Sequence, residues 1–239
     1  MITYDSVTDK GERKKNEDSN GFIQKENRSV FILADGLGGH GNGDLASQFV
    51  VSYIKNCIAQ NQEMEMQECI CQSQNALLEK QKELNAGNSM KTTLTVLDIQ
   101  QGYAKLYHVG DSRIYFFRKN KFIQRTLDHS VPQMLCQTGR IKEKDIRHHV
   151  DRSKLLRVMG TPWETPRFSV SERIELKPKD TFLLCSDGFW ELIDEKQMIK
   201  LLKKSSSGGE WIEKMTQEVV KNGVGTNMDN YSAIAVINN

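Results

Sequence analysis

Five acidic clusters sit where apolar or β-forming runs begin or end. Val30–Ala34 leads into Asp35-Gly36, Thr181–Ser186 into Asp187-Gly188, and Tyr103–Val109 is followed closely by Asp111. Asp229-Asn230 stands just before the last apolar run, and Asn16-Glu17-Asp18 just before another. Carboxylates at strand ends can converge on a hard cation, and a glycine after Asp35 lets its carbonyl turn inward as a further ligand. Converging carboxylates without a cation would repel one another by several kcal/mol. Oxygen donors with no His pair nearby favour Mg²⁺ or Mn²⁺ over Zn²⁺. Asp-Gly pairs also close ordinary tight turns, and spacing alone leaves a chance arrangement of turn acids open.

The Gly-rich stretch Ala34–Asp44 admits other chemistry. Gly36-x-Gly38-x-x-Gly41 satisfies a dinucleotide fingerprint, whose glycines let a pyrophosphate reach the backbone. Asp35 at the lip of that turn would repel the phosphates, and no acidic residue follows a second strand. Gly38-Gly39-x-Gly41-x-x-Asp44 has the spacing of a calcium-binding nonapeptide, but such repeats stack in several copies and this chain has one. The cation reading of Asp35 accounts for more of the sequence.

The elements that must position these acids can be read from periodicity. Ile2, Tyr4 and Val7 alternate as on a half-buried strand, whereas Leu45 to Ile58 and Met64 to about Leu84 carry helical spacing. Asn85–Gly87 stops the second helix. Thr92–Ile99, Tyr103–Val109, Ile114–Phe117 and Lys121–Thr126 are β-branched and aromatic, with short polar connectors. Strand signals return at Arg173–Leu176, Thr181–Cys185 and Ser232–Ile237. Helices near Glu195–Lys203 and Gly209–Lys221 fall between the last two. Paired helices and runs of strands predict an α+β layered architecture, not a βαβ repeat. Gly139–Arg157, rich in Arg and Lys with little apolar periodicity, reads as a mobile basic surface segment.

Composition narrows the function. The 239 residues suggest one domain spanning 1–239. Such a chain can bury enough surface to fold without a structural metal. The formal net charge of +2 excludes a nucleic-acid coat or polybasic membrane anchor. A mean hydropathy of −0.56 and no apolar run of membrane-spanning length predict no transmembrane helix. The start turns polar within a few residues, so no secretory leader is expected. The five scattered cysteines suit free thiols in a cytoplasmic protein, and none sits in a nucleophile motif. Cys69-Ile-Cys71 lacks the second pair a metal knuckle needs.

Eight segments in order carry a resemblance: Gly11–Asp18, Ala34–Ser47, Lys91–Val96, His108–Tyr115, Leu127–Ser130, Leu155–Gly160, Leu183–Ile193 and Met228–Val236. Together the chain resembles the metal-dependent Ser/Thr protein phosphatases, the PPM or type 2C family, in its compact bacterial form. The resemblance implies a four-layer αββα sandwich of two antiparallel sheets flanked by helices, with a flap near 139–157. It implies two Mn²⁺ or Mg²⁺ ions: Asp35 bridging them, the Gly36 carbonyl on one, Asp187 and Asp229 on the other. Glu17 and Asp18 would hold metal-bound waters, with Asn230 beside them, and Asp111 with Asp187 would take a third, weaker ion. Arg13 would grip the substrate phosphate. The implied reaction is direct attack of a metal-bridging hydroxide on phosphoserine or phosphothreonine of a protein.

One departure concerns the general acid. Animal-type relatives carry a His directly after the Asp-Gly pair, whereas this chain has Leu37 there and His40 three residues later. His40 is then a candidate leaving-group acid, with a metal-bound water as the alternative donor. The expected partners are phosphorylated proteins, targets of a Ser/Thr kinase, met by a monomer; the cationic flap would steer acidic or phosphorylated surfaces to the site. Alternatives are a phosphatase dedicated to one anti-sigma-type regulator and an inactive binding module of the same fold. Pseudophosphatases typically lose ligand carboxylates, and Asp35, Asp187 and Asp229 are all present.

Overall fold

The computed structural model describes residues 1–38, 41–87 and 89–239. Strands β1 (Ile2–Asp9), β2 (Asp18–Gln24) and β3 (Arg28–Asp35) open the chain, followed by helices α1 (Gly43–Gln60) and α2 (Met66–Glu83). A meander of β4 (Leu94–Gln100), β5 (Tyr103–Val109), β6 (Arg113–Arg118) and β7 (Lys121–Arg125) comes next. Helix α3 (Val131–Gln137), a 3-10 turn at Glu143–His148, and the short strands β8 (Ser169–Val170) and β9 (Ile174–Glu175) lead to β10 (Asp180–Cys185). Helices α4 (Asp187–Trp190), α5 (Glu195–Leu202) and α6 (Gly208–Gly223) precede the last strand, β11 (Tyr231–Asn238).

The strands form two antiparallel sheets. One runs β1-β11-β10-β6-β7 and the other β2-β3-β4-β5-β8, with β9 also on β5. Period-two alternation sorts the central strands between two cores. Phe31 and Leu33 of β3 face Phe116, Phe182 and Ile234 across the middle of the sandwich. The Phe116 and Phe182 rings stack with centroids 4.8 Å apart. On its other face β3 sends Val30, Ile32 and Ala34 against Val50, Ile54 and Leu77 of α1 and α2. Tyr115, Leu183 and Ala233 of the second sheet likewise pack outward on Trp211, Met215 and Val219 of α6. The expected four-layer αββα sandwich is the observed one.

The segment 139–157 departs from the plain surface loop expected of it. Ile146 is 2% exposed and joins the core under α5 and α6. Arg147 bonds the Ile193 carbonyl at 3.0 Å and pairs with Glu195, while Arg152 pairs with Glu191 at 3.0 Å. Its basic residues hid this anchoring because a single apolar anchor gives no periodic pattern. Helix α3 also escapes the sequence pattern. It is seven residues long, carries Pro132 in its first turn, and is capped by the Ser130 hydroxyl accepting from Gln133 N–H.

Candidate metal centre

Antiparallel pairing brings the acids to one edge of the sandwich. In the β2–β3 hairpin Asp18 lies directly opposite Asp35, a register that sets two carboxylates side by side. Strand β10 ends where β11 begins, Cys185 opposite Ala233, so Asp187 and Asp229 meet at the same edge from the other sheet. The turn from β5 to β6 crosses between the sheets and holds Asp111. Together with Arg13 and Glu17, the acids Asp35, Asp111, Asp187 and Asp229 line a cleft of about 900 Å³.

Asp35 and Asp18 are held from behind. The Asp35 N–H donates to Thr93 Oγ1 at 2.9 Å, and its carbonyl accepts from Thr93 N–H and Thr92 Oγ1, both at 2.8 Å. Asp18 Oδ2 accepts from Ser186 Oγ at 2.7 Å, and Ser232 N–H donates back to that hydroxyl at 2.9 Å. Asn230 works on the backbone: its Oδ1 accepts from Glu17 N–H at 2.7 Å, and its Nδ2 donates to the Lys10 and Lys15 carbonyls. The amide therefore shapes the loop that presents Arg13 and Glu17. Arg13 Nη2 reaches Asp229 Oδ2 at 3.0 Å at the open mouth. Gly36 has no room for a side chain, since a Cβ there would strike the Gly43 backbone and come within 2.7 Å of the Glu17 carbonyl.

The electrostatics fit divalent cations. Withdrawal from water, then Asp18, Asp187, Asp111 and Asp229 in turn, hold the Asp35 carboxyl well above the ordinary range. Burial, followed by Asp187 and Asp128, does the same to Asp111. Burial pushes Asp18 up to about 7 despite hydrogen bonds from Ser232 and Ser186. Burial and then Asp229 raise Asp187 to about 6. Asp18 Oδ1 is a buried oxygen with no hydrogen-bond partner among the described residues. The donors are all oxygen, as Mg²⁺ and Mn²⁺ prefer. Among the described residues no three His, Cys, Asp or Glu side chains are drawn into a coordination sphere by themselves. An ion that keeps several waters needs only one or two direct carboxylates, which matches acids spread around a cleft.

A pH dependence follows with a definite sign. Asp18, Asp35, Asp111 and Asp187 have folded pKa values above their unfolded ones. Such groups favour the fold fully below the unfolded pKa, and that contribution is lost as pH rises through the folded values. Without divalent ions, the Tm should fall between about pH 4 and 8, and saturating Mn²⁺ should remove most of the fall. Thermal unfolding in EDTA and in Mn²⁺ at several pH values checks this; identical slopes in both would contradict it.

The family described as Protein phosphatase 2C matches residues 10–223. The chain belongs to the protein phosphatase 2C family. It is 34% identical over 209 residues to the serine/threonine phosphatase stp of Listeria monocytogenes serotype 4b, covering 82% of this chain and 81% of that one. The crystal structure of serine/threonine phosphatase Stp1 from Staphylococcus aureus superposes with a TM-score of 0.89 at 26% identity, over 100% of this chain and 96% of that one. The catalytic domain of the phosphatase PstP, solved in complex with 2 manganese ions, has the same fold at 23% identity, with a TM-score of 0.81 over 99% of this chain and 97% of that one.

In this 2C-family chain Arg13, Glu17, Asp35, Gly36, Asp111, Asp187, Asp229 and Asn230 all line the cleft. Asp18 lies behind it, opposite Asp35, and His40 falls outside the described residues. What the sequence left unmarked is the support beneath Asp111. The Asp111 carbonyl accepts from Trp190 Nε1 at 3.0 Å. The Arg113 guanidinium lies 3.4 Å from the Trp190 ring centroid and makes two bonds to Asp128, at 2.8 and 2.7 Å. An arginine directly before the β-forming run Ile114–Phe117 was the available signal, because a buried guanidinium must find a carboxylate. His129 fastens the same turn, its N–H donating to the Gly110 carbonyl at 2.7 Å and its Nδ1 accepting from Gly110 N–H at 3.2 Å.

Proposed function

We infer that this chain hydrolyses phosphoserine and phosphothreonine on proteins. The observation that carries this is the convergence of Asp18, Asp35, Asp111, Asp187 and Asp229, drawn from both sheets, around one cleft with Arg13 at its mouth. Asp35, the Gly36 carbonyl, Asp187 and Asp229 would hold two divalent ions, Mn²⁺ or Mg²⁺, with Asp111 and Asp187 suited to a third. The PstP structure with 2 manganese ions supports Mn²⁺ as occupant. Bound there, such ions supply an activated water and offset charge on the phosphoryl oxygens.

The protein's own groups do the rest. Arg13, steadied by Asp229, orients the phosphate through its forked guanidinium. Glu17 at the cleft and Asp18 behind it, whose Oδ1 has no partner among the described residues, would hold waters there, and His40 would give a proton to the leaving hydroxyl oxygen. A cysteine nucleophile is disfavoured, because burial pushes the thiol of Cys185, two residues before Asp187, far up. We place the chain as one catalytic unit over 1–239 acting as a monomer against the products of a Ser/Thr kinase. Among the described residues no helix is long and apolar enough to cross a membrane.

The test compares phosphothreonine, phosphoserine and phosphotyrosine peptides in Mn²⁺. Release from the first two well above the third is expected; silence on all three would overturn the reading. Arg13→Ala should lower kcat/KM by about 10- to 100-fold, the value of one charged hydrogen bond. Steady-state kinetics measure it, and an unchanged kcat/KM would remove Arg13 from phosphate binding.

A further inference from the structure

The cleft is far larger than a phosphoryl group, and its charges are unevenly matched. All the acids that line it are the five already described: Glu17, Asp35, Asp111, Asp187 and Asp229. Lys91, Arg157 and Arg167 also line it, beside an apolar wall that includes Leu155, Val158 and Trp163. Cations in and beside the flap have partners: Arg125 of β7 with Glu143, Arg147 with Glu195, Arg152 with Glu191, and Lys154 with Asp151. Arg140, Lys142 and Lys144 are exposed and do not line the cleft. Lys91, Arg157 and Arg167 form no ion pair among the described residues, although they line the cleft.

The backbone fixes where two of these cations stand. Gly36 bridges to Thr92, and Thr92 in turn to Met159, in antiparallel fashion. Leu37 N–H donates to the Lys91 carbonyl at 2.9 Å, and Met159 N–H to the Thr92 carbonyl at 2.9 Å. Lys91 and Arg157 therefore sit on one hydrogen-bonded ribbon that starts at Gly36. Adjacent strands lie about 4.8 Å apart, so the ribbon reaches roughly 10 Å from Gly36. An extended peptide covers that distance in about three residues.

We propose that Lys91, Arg157 and Arg167 form a second anion subsite, which selects phosphoprotein segments carrying another negative charge within about three residues of the hydrolysed phosphate. The proposal rests on the phosphatase reading and adds the substrate class to it. The second charge is a carboxylate or a second phosphate, either of which supplies the anion these cations lack, while the Trp163 wall takes an intervening apolar side chain.

The experiment uses wild-type protein in Mn²⁺ with an aryl phosphate and three phosphothreonine peptides. The peptides have neutral flanks, glutamates two and three residues away, or a phosphoserine at that distance. The charged peptides should exceed the neutral one by about five- to twentyfold in kcat/KM at low salt, and less at high salt. In Lys91→Gln/Arg167→Gln that ratio should fall toward one. A gain with both charged peptides supports a general anion subsite, and a gain with the phosphoserine peptide alone supports a phosphate subsite. Equal kcat/KM for all three peptides, with the aryl phosphate hydrolysed, would overturn the proposal alone. No hydrolysis of any of the four would instead overturn the phosphatase reading.

Discussion

Asp187→Asn should lower phosphate release on the order of 10³-fold while leaving the fold intact. Asp187 begins α4 directly after β10, the centre of its sheet, so an amide of nearly equal size fits without repacking. What changes is charge. Asp187 contributes to the raised carboxyls of Asp18, Asp35 and Asp111, and Asp35 lies within hydrogen-bonding reach of it. Removing one negative charge weakens the hold on divalent ions and relieves repulsion among the remaining acids. The variant should therefore unfold at a higher temperature than wild type in EDTA at pH 8, yet gain less on adding Mn²⁺. Thermal unfolding and phosphate release read the two effects separately. Wild-type activity in the variant would remove Asp187 from the centre.

Asp128→Ala should have the largest effect on stability. Arg113 and Asp128 have side chains only 3% and 1% exposed, and a water entering the vacated space would not replace the lost charge. Arg113 would keep Tyr115 Oη at 3.0 Å and the Trp190 face, neither of which cancels its charge, and Glu195 at 3.9 Å, a partly exposed carboxylate already paired with Arg147. Removing one partner of such a buried pair costs about 3–5 kcal/mol. For a chain of this size that lowers the Tm by very roughly 6–20 °C. Activity should fall too, since Trp190 Nε1 holds the Asp111 carbonyl. Arg113→Met/Asp128→Leu should recover much of the stability, because the apolar pair leaves no unpaired charge, Arg125 keeping Glu143. Urea unfolding measures all three proteins; a loss under about 1 kcal/mol in Asp128→Ala would show that Glu195, whose Oε1 lies 3.9 Å from Arg113 Nη1, suffices to balance the guanidinium.

The sequence made the ligands more legible than their supports. Asp35 and Asp187 each follow an apolar strand and precede glycine, a pattern visible along one dimension. The strands themselves were legible because alternate residues feed different cores, as Phe31 and Val30 do. Supports such as Thr93, Ser186 and Asn230 act across long sequence separations, with Ser186 bonding Asp18 from 168 residues away. A serine or threonine carries no local mark of the carboxylate it will meet after folding. The flap's anchoring was hidden for a similar reason: Arg147 and Arg152 look like solvated charges until α4 and α5 bring Glu191 and Glu195 to them. The resemblance over eight segments carried what periodicity could not, the identity of the family.

Phosphate release from a single phosphothreonine peptide, first in Mn²⁺ and then in excess EDTA, tests most directly whether the acid-lined cleft works through divalent cations. Release that requires Mn²⁺, stops with EDTA and returns when Mn²⁺ is restored is the predicted result. Release that persists undiminished in excess EDTA, or folded protein that stays silent with every divalent ion, would contradict it; the silent outcome would recast the chain as a binding module on a phosphatase fold.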